Sequence, residues 1–491
     1  MGSSLRKLVP ALALVIASTT ATVAHAQGPP TLDWRHCGQS PRTQCTSMRV
    51  PLDYDAPDGK QISVSVARLP ATDRAHRQGA LFVNFGGPGD VAADVIKSFT
   101  ADSLPALNDR FEIVAMDPRG VGRSRPAIAC GGGGSGVASA MRPPDMVDFA
   151  ALLEKDRGYV KRCVAANPGI LAHVSTANVA RDMDLLRRAL GERRIGYFGQ
   201  SYGTLLGATY ARLFPRHLSA MVLDGPLDPD EWLNHPLHED VDGAAAQEDA
   251  LRQFLASCPA CGFGGSDPAG SFDALIASLA RHPAPAHGRD RRPVGPAAAL
   301  AAVEQGIGGG GLHSQASARL ARALSDAAHG DGTRLRELAD GGMGTDHAGN
   351  RLPEIDRFIA INASEQRFPR RTGPYIEAAR RAWAQSPHFG DAYRELVYSL
   401  WPVHDRDAYR GPFTLPRGTP VPLVVAATHD PVTPIANAAG LIREMGRGRL
   451  LTVDGNGHTT YPGNSACVDA AVEAYFRYET LPPRGKRCAQ D

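Results

Sequence analysis

The pattern of hydrophobic and polar positions predicts alternating strands and helices in the first half of the chain. Runs rich in β-branched and aromatic residues predict strands at 62–69, 80–85 and 111–116, and an amphipathic run predicts a helix at 180–190. A strand at 194–198, a helix at 202–214 and a strand at 218–223 follow without a break. Because helices connect parallel strands, this repetition predicts a doubly wound, mostly parallel sheet with helices on both faces.

The same alternation returns near the end of the chain, after a long segment of different character. Strands are predicted at 422–427 and 450–453, and helices at 436–445 and 467–478. Between them, residues 228–412 contain helical stretches such as 314–328 and 375–384 and almost no strand pattern. We therefore expect a helical lid at 228–412, inserted between two parts of one core at 27–227 and 413–491.

Residues 1–26 have the features of a secretory signal peptide. Arg6 and Lys7 precede an apolar run at 8–17, and Ala24-His25-Ala26 is a small-x-small cleavage pattern. The apolar run is far shorter than the roughly 20 residues that span a bilayer. No later segment is long and apolar enough for a span, so the sequence predicts an exported protein that begins near Gln27 and has no membrane anchor.

The charge balance excludes several classes of partner. With 53 Lys and Arg residues against 51 Asp and Glu residues, the formal net charge is only +2. This balance argues against a nucleic-acid-binding surface and against an acidic tail. We expect a peptide or another small molecule as the partner, and a monomer as the default state.

Eight cysteines in an exported chain predict disulfides rather than metal ligands. Proximity in sequence suggests four pairs: Cys37 with Cys45, Cys130 with Cys163, Cys258 with Cys261, and Cys467 with Cys488. The GxGxxG at 306–311 lacks the strand and the downstream acid of a dinucleotide site, so we interpret it as a flexible turn. Neither a metal nor an organic cofactor is predicted.

The motif with the clearest chemistry is Gly199-Gln200-Ser201-Tyr202-Gly203, a G-x-S-x-G between a predicted strand and a predicted helix. This context is typical of the nucleophile elbow of α/β-hydrolases, in which a sharp turn holds the serine hydroxyl out above the sheet. The fold class that we expect is therefore the α/β-hydrolase fold with an inserted helical lid. Ser201 is the predicted nucleophile.

A serine nucleophile needs a base and an acid, which in this fold follow it along the chain. His458 lies in a glycine-rich loop after the strand at 450–453 and is the predicted base. Asp430 follows the strand at 422–427 and is the predicted acid that orients the imidazole. Asp454 is a rival acid in the same loop as the histidine, and His429 is a second histidine to which the sequence assigns no partner.

The oxyanion of an acyl-transfer reaction requires two backbone N–H donors. Tyr202 directly follows the nucleophile and supplies one. The Gly86-Gly87-Pro88-Gly89 loop after the strand at 80–85 supplies the other, with Gly87 favoured over Gly86. Glycines there allow the backbone to approach the substrate closely.

Taken together, several motifs resemble those of the exported tripeptidyl aminopeptidases of actinobacteria, within the proline-iminopeptidase group of α/β-hydrolases. The motifs are Gly86-Gly87-Pro88-Gly89, the DPRGVGRS sequence at 117–124, the elbow at 199–203, the THDPVTP sequence at 428–434 and the GNGHT sequence at 455–459. The resemblance implies an exopeptidase that binds the free α-amine of a peptide through acidic lid residues. It requires no cofactor.

The resemblance also points to one acidic lid residue and to one departure from the family. Glu365 aligns with a lid segment that usually reads AIxCxD, and is the candidate amine ligand. Ala363 stands where that pattern has cysteine, and Tyr398 stands where its partner is expected. One lid disulfide of the family is therefore absent, which leaves the substrate preference open.

Two alternative functions remain. A carboxylesterase would use the same three residues, because a serine triad does not distinguish amides from esters. The second alternative is a catalytically silent hydrolase fold that only binds a ligand. Such proteins commonly lack a member of the triad, whereas all members are present here.

Overall fold

The structure is a computed structural model that describes residues 31–100, 103–131, 143–258, 261–312, 314–342, 344–346, 348, 350 and 352–491. The predicted signal peptide lies outside the described residues. Ten strands form one sheet in the order β1-β2-β3-β5-β4-β6-β7-β8-β9-β10. They are β1 (Arg35–His36), β2 (Gln44–Pro51), β3 (Gln61–Leu69), β4 (Gly79–Asn84), β5 (Phe111–Met116), β6 (Ile195–Gln200), β7 (Leu218–Asp224), β8 (Leu423–His429), β9 (Arg449–Asn456) and β10 (Arg487–Ala489).

The sheet is parallel from β5 to β10 and antiparallel at its other end. β1, β2, β3 and β5 pair antiparallel to one another, whereas β4 pairs parallel with β5 and β6, and β6 to β10 continue in parallel. This arrangement confirms the predicted mostly parallel sheet. Every residue of β4 and β5 is buried, which is the reason that these central strands are almost continuously apolar.

Fifteen α-helices surround the sheet in the described part of the chain. They are α1 (Ala92–Ser98), α2 (Pro105–Asn108), α3 (Phe149–Ala166), α4 (Thr176–Ala189), α5 (Tyr202–Leu213), α6 (Pro229–Asn234), α7 (Pro236–Ser257), α8 (Pro268–Arg281), α9 (Pro296–Gly308), α10 (Gln315–Ala328), α11 (Thr333–Gly342), α12 (Pro353–Glu365), α13 (Gly373–Gln385), α14 (Ile435–Met445) and α15 (Ala466–Tyr478). Short 3-10 helices cover Arg74–His76, Pro144–Met146, Leu171–His173 and Ala392–Leu400.

The segment between β7 and β8 contains α6 to α13, and it has a hydrophobic core of its own. Phe254, Phe272, Leu324 and Tyr375 belong to this core and are almost fully buried. The structure therefore places a helical unit over one end of the sheet. It also shows that α9 continues through Gly306 to Gly308, so half of the predicted flexible turn is helix.

Four disulfides join the cysteine pairs that are close in sequence: Cys37–Cys45, Cys130–Cys163, Cys258–Cys261 and Cys467–Cys488. No cysteine of the described residues remains free. None of the helices described above combines the length and the apolar character that a bilayer span requires.

Candidate active site

Ser201 lies in a strained turn between β6 and α5. Its φ of 54° and ψ of −127° are rare for a residue with a side chain. The chain crosses itself closely here, because a Cβ added to Gly199 would lie 2.3 Å from the carbonyl oxygen of Gly203. Small residues on both sides are therefore required, and the turn has the geometry of a nucleophile elbow.

His458 and Asp430 lie together at the ends of neighbouring strands. His458 follows β9, Asp430 follows β8, and Nδ1 of the imidazole is 3.0 Å from both carboxylate oxygens. The rival acid, Asp454, instead forms an exposed ion pair with Arg487. The structure thus brings Asp430, and not Asp454, to the histidine.

Thr433 holds the Asp430 carboxylate in place. Its backbone N–H donates to Oδ1 at 2.9 Å, and its hydroxyl donates to Oδ2 at 2.9 Å. The same hydroxyl oxygen lies 3.3 Å from Nδ1 of His458. Sequence reasoning did not identify Thr433, although its position three residues after the acid in a tight turn was a usable signal.

The environment of His458 suits a general base. Burial by itself lowers the pKa of this imidazole, but the hydrogen-bonded charge of Asp430, with a smaller contribution from Asp224, outweighs burial and raises it. Nε2 is buried and has no hydrogen-bond partner among the described residues. The backbone N–H of His458 donates to the carbonyl of Gly308 at 3.1 Å, so the helical unit also holds this loop.

The two predicted oxyanion donors are both near Ser201: Tyr202 is its neighbour in the chain, and Gly87 lines the same cavity. Tyr202 is the first residue of α5, where a backbone N–H has no acceptor within the helix. The N–H of Gly86 already donates to Oδ1 of Asn84 at 3.1 Å, whereas Gly87 lines the same cavity as Ser201. Gly87 is therefore better placed than Gly86 to bind an oxyanion. Gly86 has a packing role, since a Cβ there would lie 2.9 Å from Cβ of Ser201.

A cavity of about 210 Å³ opens above Ser201 and is enclosed mainly by the helical unit. Its apolar wall includes Trp232, Phe358, Phe368 and Phe389. Four carboxylates also line it, namely Glu239, Asp240, Asp391 and Glu395. Burial, together with the charges of Glu395, Asp242 and Glu231, raises the pKa of Glu239 to about 8. Sequence reasoning missed this group because its members come from α7 and from the segment after α13.

Glu365 is not part of this cavity. It is fully buried at the end of α12, where it accepts hydrogen bonds from the backbone N–H of Thr176 at 2.5 Å and from its hydroxyl at 2.7 Å. The Thr176 hydroxyl also lies 2.6 Å from the Tyr202 hydroxyl. The structure therefore does not support the amine-binding role expected of Glu365. It gives this carboxylate a structural role instead, as an acceptor for the first turn of α4, which begins four residues before its predicted start.

Ala363 and Tyr398, at the positions of the absent lid disulfide, are both buried. The ring of Tyr398 stacks on the ring of Phe368, with centroids 4.0 Å apart and planes inclined by 16°. Because Phe368 lines the cavity, this stack shapes the cavity wall at the place where a disulfide was expected.

The elbow, the histidine and the carboxylate all lie at the same end of a doubly wound sheet. Two family models match the chain: the alpha/beta hydrolase fold over residues 80–261, and a TAP-like protein over residues 386–488. Fold and site together define a serine hydrolase of the α/β-hydrolase class.

Curated relatives match almost the whole chain. Serine protease Hip1 of Mycobacterium tuberculosis (strain ATCC 25618 / H37Rv) is 32% identical over 93% of this chain and 91% of its own length. Carboxylesterase B of the same strain is 34% identical over 91% of this chain and 86% of its own length. Tripeptidyl aminopeptidase of Streptomyces coelicolor is 29% identical over 93% of this chain and 86% of its own length. The chain belongs to the α/β-hydrolase family of these relatives, which confirms the resemblance to tripeptidyl aminopeptidases.

Proposed function

We propose that this chain is an exported serine exopeptidase that removes a short unit from peptides with a free N-terminus. The observation that carries the proposal is the cavity itself, in which Ser201 shares one small space with Glu239, Asp240, Asp391 and Glu395. A protonated α-amine is the part of a peptide that such a group of carboxylates binds best. Export is supported by the signal-like features of residues 1–26.

The dimensions of the cavity favour a short released unit. Its walls are aromatic at Trp232, Phe358 and Phe368, so they accept apolar side chains next to the charged end. When the amine is bound at the carboxylates and the scissile carbonyl is at Ser201, the distance between them limits how many residues lie in between. A blocked N-terminus would lack the positive charge that these carboxylates attract.

We assign the chemical steps to the residues at the base of the cavity. The hydroxyl of Ser201 attacks the carbonyl while Nε2 of His458 accepts its proton, and Asp430 stabilises the imidazolium through Nδ1. The N–H groups of Gly87 and Tyr202 bind the oxyanion. His458 then returns the proton to the leaving amine, and water, deprotonated by the same imidazole, hydrolyses the acyl-enzyme to release the N-terminal unit and free Ser201.

The relatives support a peptidase and also supply the second candidate. Two of them are named serine protease Hip1 and tripeptidyl aminopeptidase, whereas another at 34% identity is named carboxylesterase B. An ester substrate needs the same triad and oxyanion donors but has no amine for the carboxylates to bind. The four cavity carboxylates therefore favour the peptidase.

The test is hydrolysis of chromogenic amides by the exported enzyme and by Ser201→Ala. Ala-Pro-Ala and Pro amides are compared with their N-acetylated copies and with a short acyl ester. The expected result is efficient cleavage of the free-amine peptides but not of their N-acetylated copies, slower cleavage of the short ester, and loss of all three activities in Ser201→Ala. Ester cleavage without amide cleavage would assign the protein to the carboxylesterases, and undiminished activity of Ser201→Ala would refute the nucleophile.

A further inference from the structure

Asp224, the last residue of β7, is a buried carboxylate that the mechanism above does not use. The residue is fully buried and lies beneath the site, between the nucleophile turn and the loop that carries His458. Packing does not explain a carboxylate at this position, because an apolar side chain could be buried at the end of the strand without the free-energy cost of burying a charge.

Asp224 contacts both the turn that carries Ser201 and the loop that carries His458. The backbone carbonyl of Asp224 accepts a hydrogen bond from the N–H of Ser201 at 3.0 Å. Oδ2 of its side chain accepts from the N–H groups of Thr460 at 2.9 Å and Tyr461 at 2.8 Å, two and three residues after His458. Oδ1 is buried and has no hydrogen-bond partner within the described ranges.

We propose that Asp224 is a positioning residue for the hydrolytic reaction. It fixes the histidine loop relative to the nucleophile turn and places a second negative charge beside the imidazole of His458. The inference rests on the proposed triad but not on the identity of the substrate. It adds a fourth side chain to the three that the fold class requires.

The charge matters because an imidazolium forms in each chemical step. The charged groups that face His458 are Asp430, through its hydrogen bond, and Asp224, and both favour the protonated ring. Burial raises the pKa of Asp224 to about 6, although the two backbone N–H donors and His458 lower it and Asp430 raises it. Above that pH the side chain is ionised, so it can stabilise the imidazolium at neutral pH.

The sign of the expected effect follows from this arrangement. In Asp224→Asn the shape is kept and the negative charge is lost, so the pKa of His458 falls. The acid limb of the kcat profile then moves to lower pH by about 1 unit. The kcat at pH 7.5 should fall about tenfold, because the imidazolium of the transition state loses a stabilising charge, whereas KM should change less than twofold.

The experiment compares pH profiles of hydrolysis of a short acyl ester, with active sites counted by a fluorophosphonate that labels Ser201. An ester depends on the triad and the oxyanion donors but not on an amine-binding site, so the result does not depend on the exopeptidase proposal. If Ser201→Ala kept full activity, the triad itself would be refuted, and that outcome is distinct from any result with Asp224→Asn.

Asp117→Asn is the matched control. Asp117 is also fully buried, follows β5, and accepts two backbone N–H groups, from Ala93 at 3.0 Å and Arg123 at 3.0 Å. Thermal unfolding measures the stability that each variant loses, and only Asp224→Asn should shift the acid limb of the kcat profile. A fall in kcat with an unmoved acid limb, or an unchanged kcat, would overturn the proposal.

A second measurement covers the case in which Asp224→Asn does not fold. In the unaltered protein, the imidazole resonances of His458 followed by NMR should show an additional inflection near pH 6, where Asp224 is protonated. Asp430→Asn should retain that inflection. The absence of any additional inflection between about pH 3 and pH 8 would show that the charge of Asp224 does not reach His458, and would overturn the proposal as well.

Discussion

His429 and Asp249 join the helical unit to the catalytic end of the sheet. Nδ1 of His429, the last residue of β8, lies 2.6 Å from Oδ2 of Asp249 in the second half of α7. The carbonyl of His429 also accepts a hydrogen bond from the N–H of Gly457, next to the catalytic histidine. The histidine without a partner in the sequence thus links α7, which lines the cavity, to the loops that carry Asp430 and His458.

Breaking this link should affect peptides and spare small esters. In Asp249→Asn we expect KM for free-amine peptides to rise about 2- to 5-fold, because a hydrogen-bonded pair that is about one-third exposed contributes up to about 1 kcal/mol. Hydrolysis of a short ester should be unchanged. Steady-state kinetics on both substrates check this. Asp326→Asn is the control, because Asp326 on α10 forms an exposed ion pair with Arg334 on α11. Equal losses on both substrates would contradict a lid-positioning role.

Glu239→Gln should weaken the binding of free-amine peptides in a pH-dependent way. The pKa of Glu239 is about 8, so the carboxyl is mostly neutral at pH 6.5 and gains its charge as the pH rises through 8. KM of the unaltered enzyme should therefore fall from pH 6.5 to 8, until the peptide amine itself loses its proton near pH 8.

In Glu239→Gln that fall in KM should be lost, and kcat/KM at pH 8 should drop about 10-fold. N-acetylated substrates and short esters are the controls and should respond little. The same loss on a blocked substrate would show that Glu239 acts on the structure of the cavity rather than on the amine.

Thr433→Val should lower kcat by about 10- to 100-fold with little change in KM. The substitution keeps the shape and removes the hydroxyl that donates to Oδ2 of Asp430, so the acid loses one of the bonds that orient it. Thr433→Ser keeps the hydroxyl and should retain most of the activity. Steady-state kinetics give kcat and KM for both variants. Equal kcat values for Thr433→Val and Thr433→Ser would mean that the hydroxyl is dispensable.

Glu365→Gln should remove a component of the pH dependence of stability. Burial raises the pKa of Glu365 from 4.5 to about 7, and the hydrogen bonds from Thr176 only partly oppose this. The unfolded chain therefore loses its proton before the folded protein does, and stability falls as the pH rises from 4.5 to 7. The contribution is about 3 kcal/mol.

Thermal unfolding at pH 5 and pH 8 measures this effect. The unaltered protein should lose more stability between the two pH values than Glu365→Gln loses, and the free-amine preference should be the same in both. Parallel stability curves would show that Glu365 ionises normally, and a lost amine preference would return it to the substrate site.

The sequence predicted the parts of the site whose geometry is local. The elbow around Ser201 depends on the strain of one turn, and the small residues that relieve it are neighbours in sequence. Asp430 and His458 were predicted because each follows a strand, and parallel strands of one sheet bring their carboxyl ends to the same edge.

Only the tertiary structure decided which other side chains reach these groups. Glu239 and Glu395 are far apart in the chain and meet because α7 and the segment after α13 pack with particular faces toward the cavity. Packing likewise turned Glu365 inward to Thr176 and placed Asp224 beneath His458. Backbone strain in a turn is encoded by adjacent residues, whereas the face that a helix presents depends on all of its distant neighbours, which no local pattern specifies.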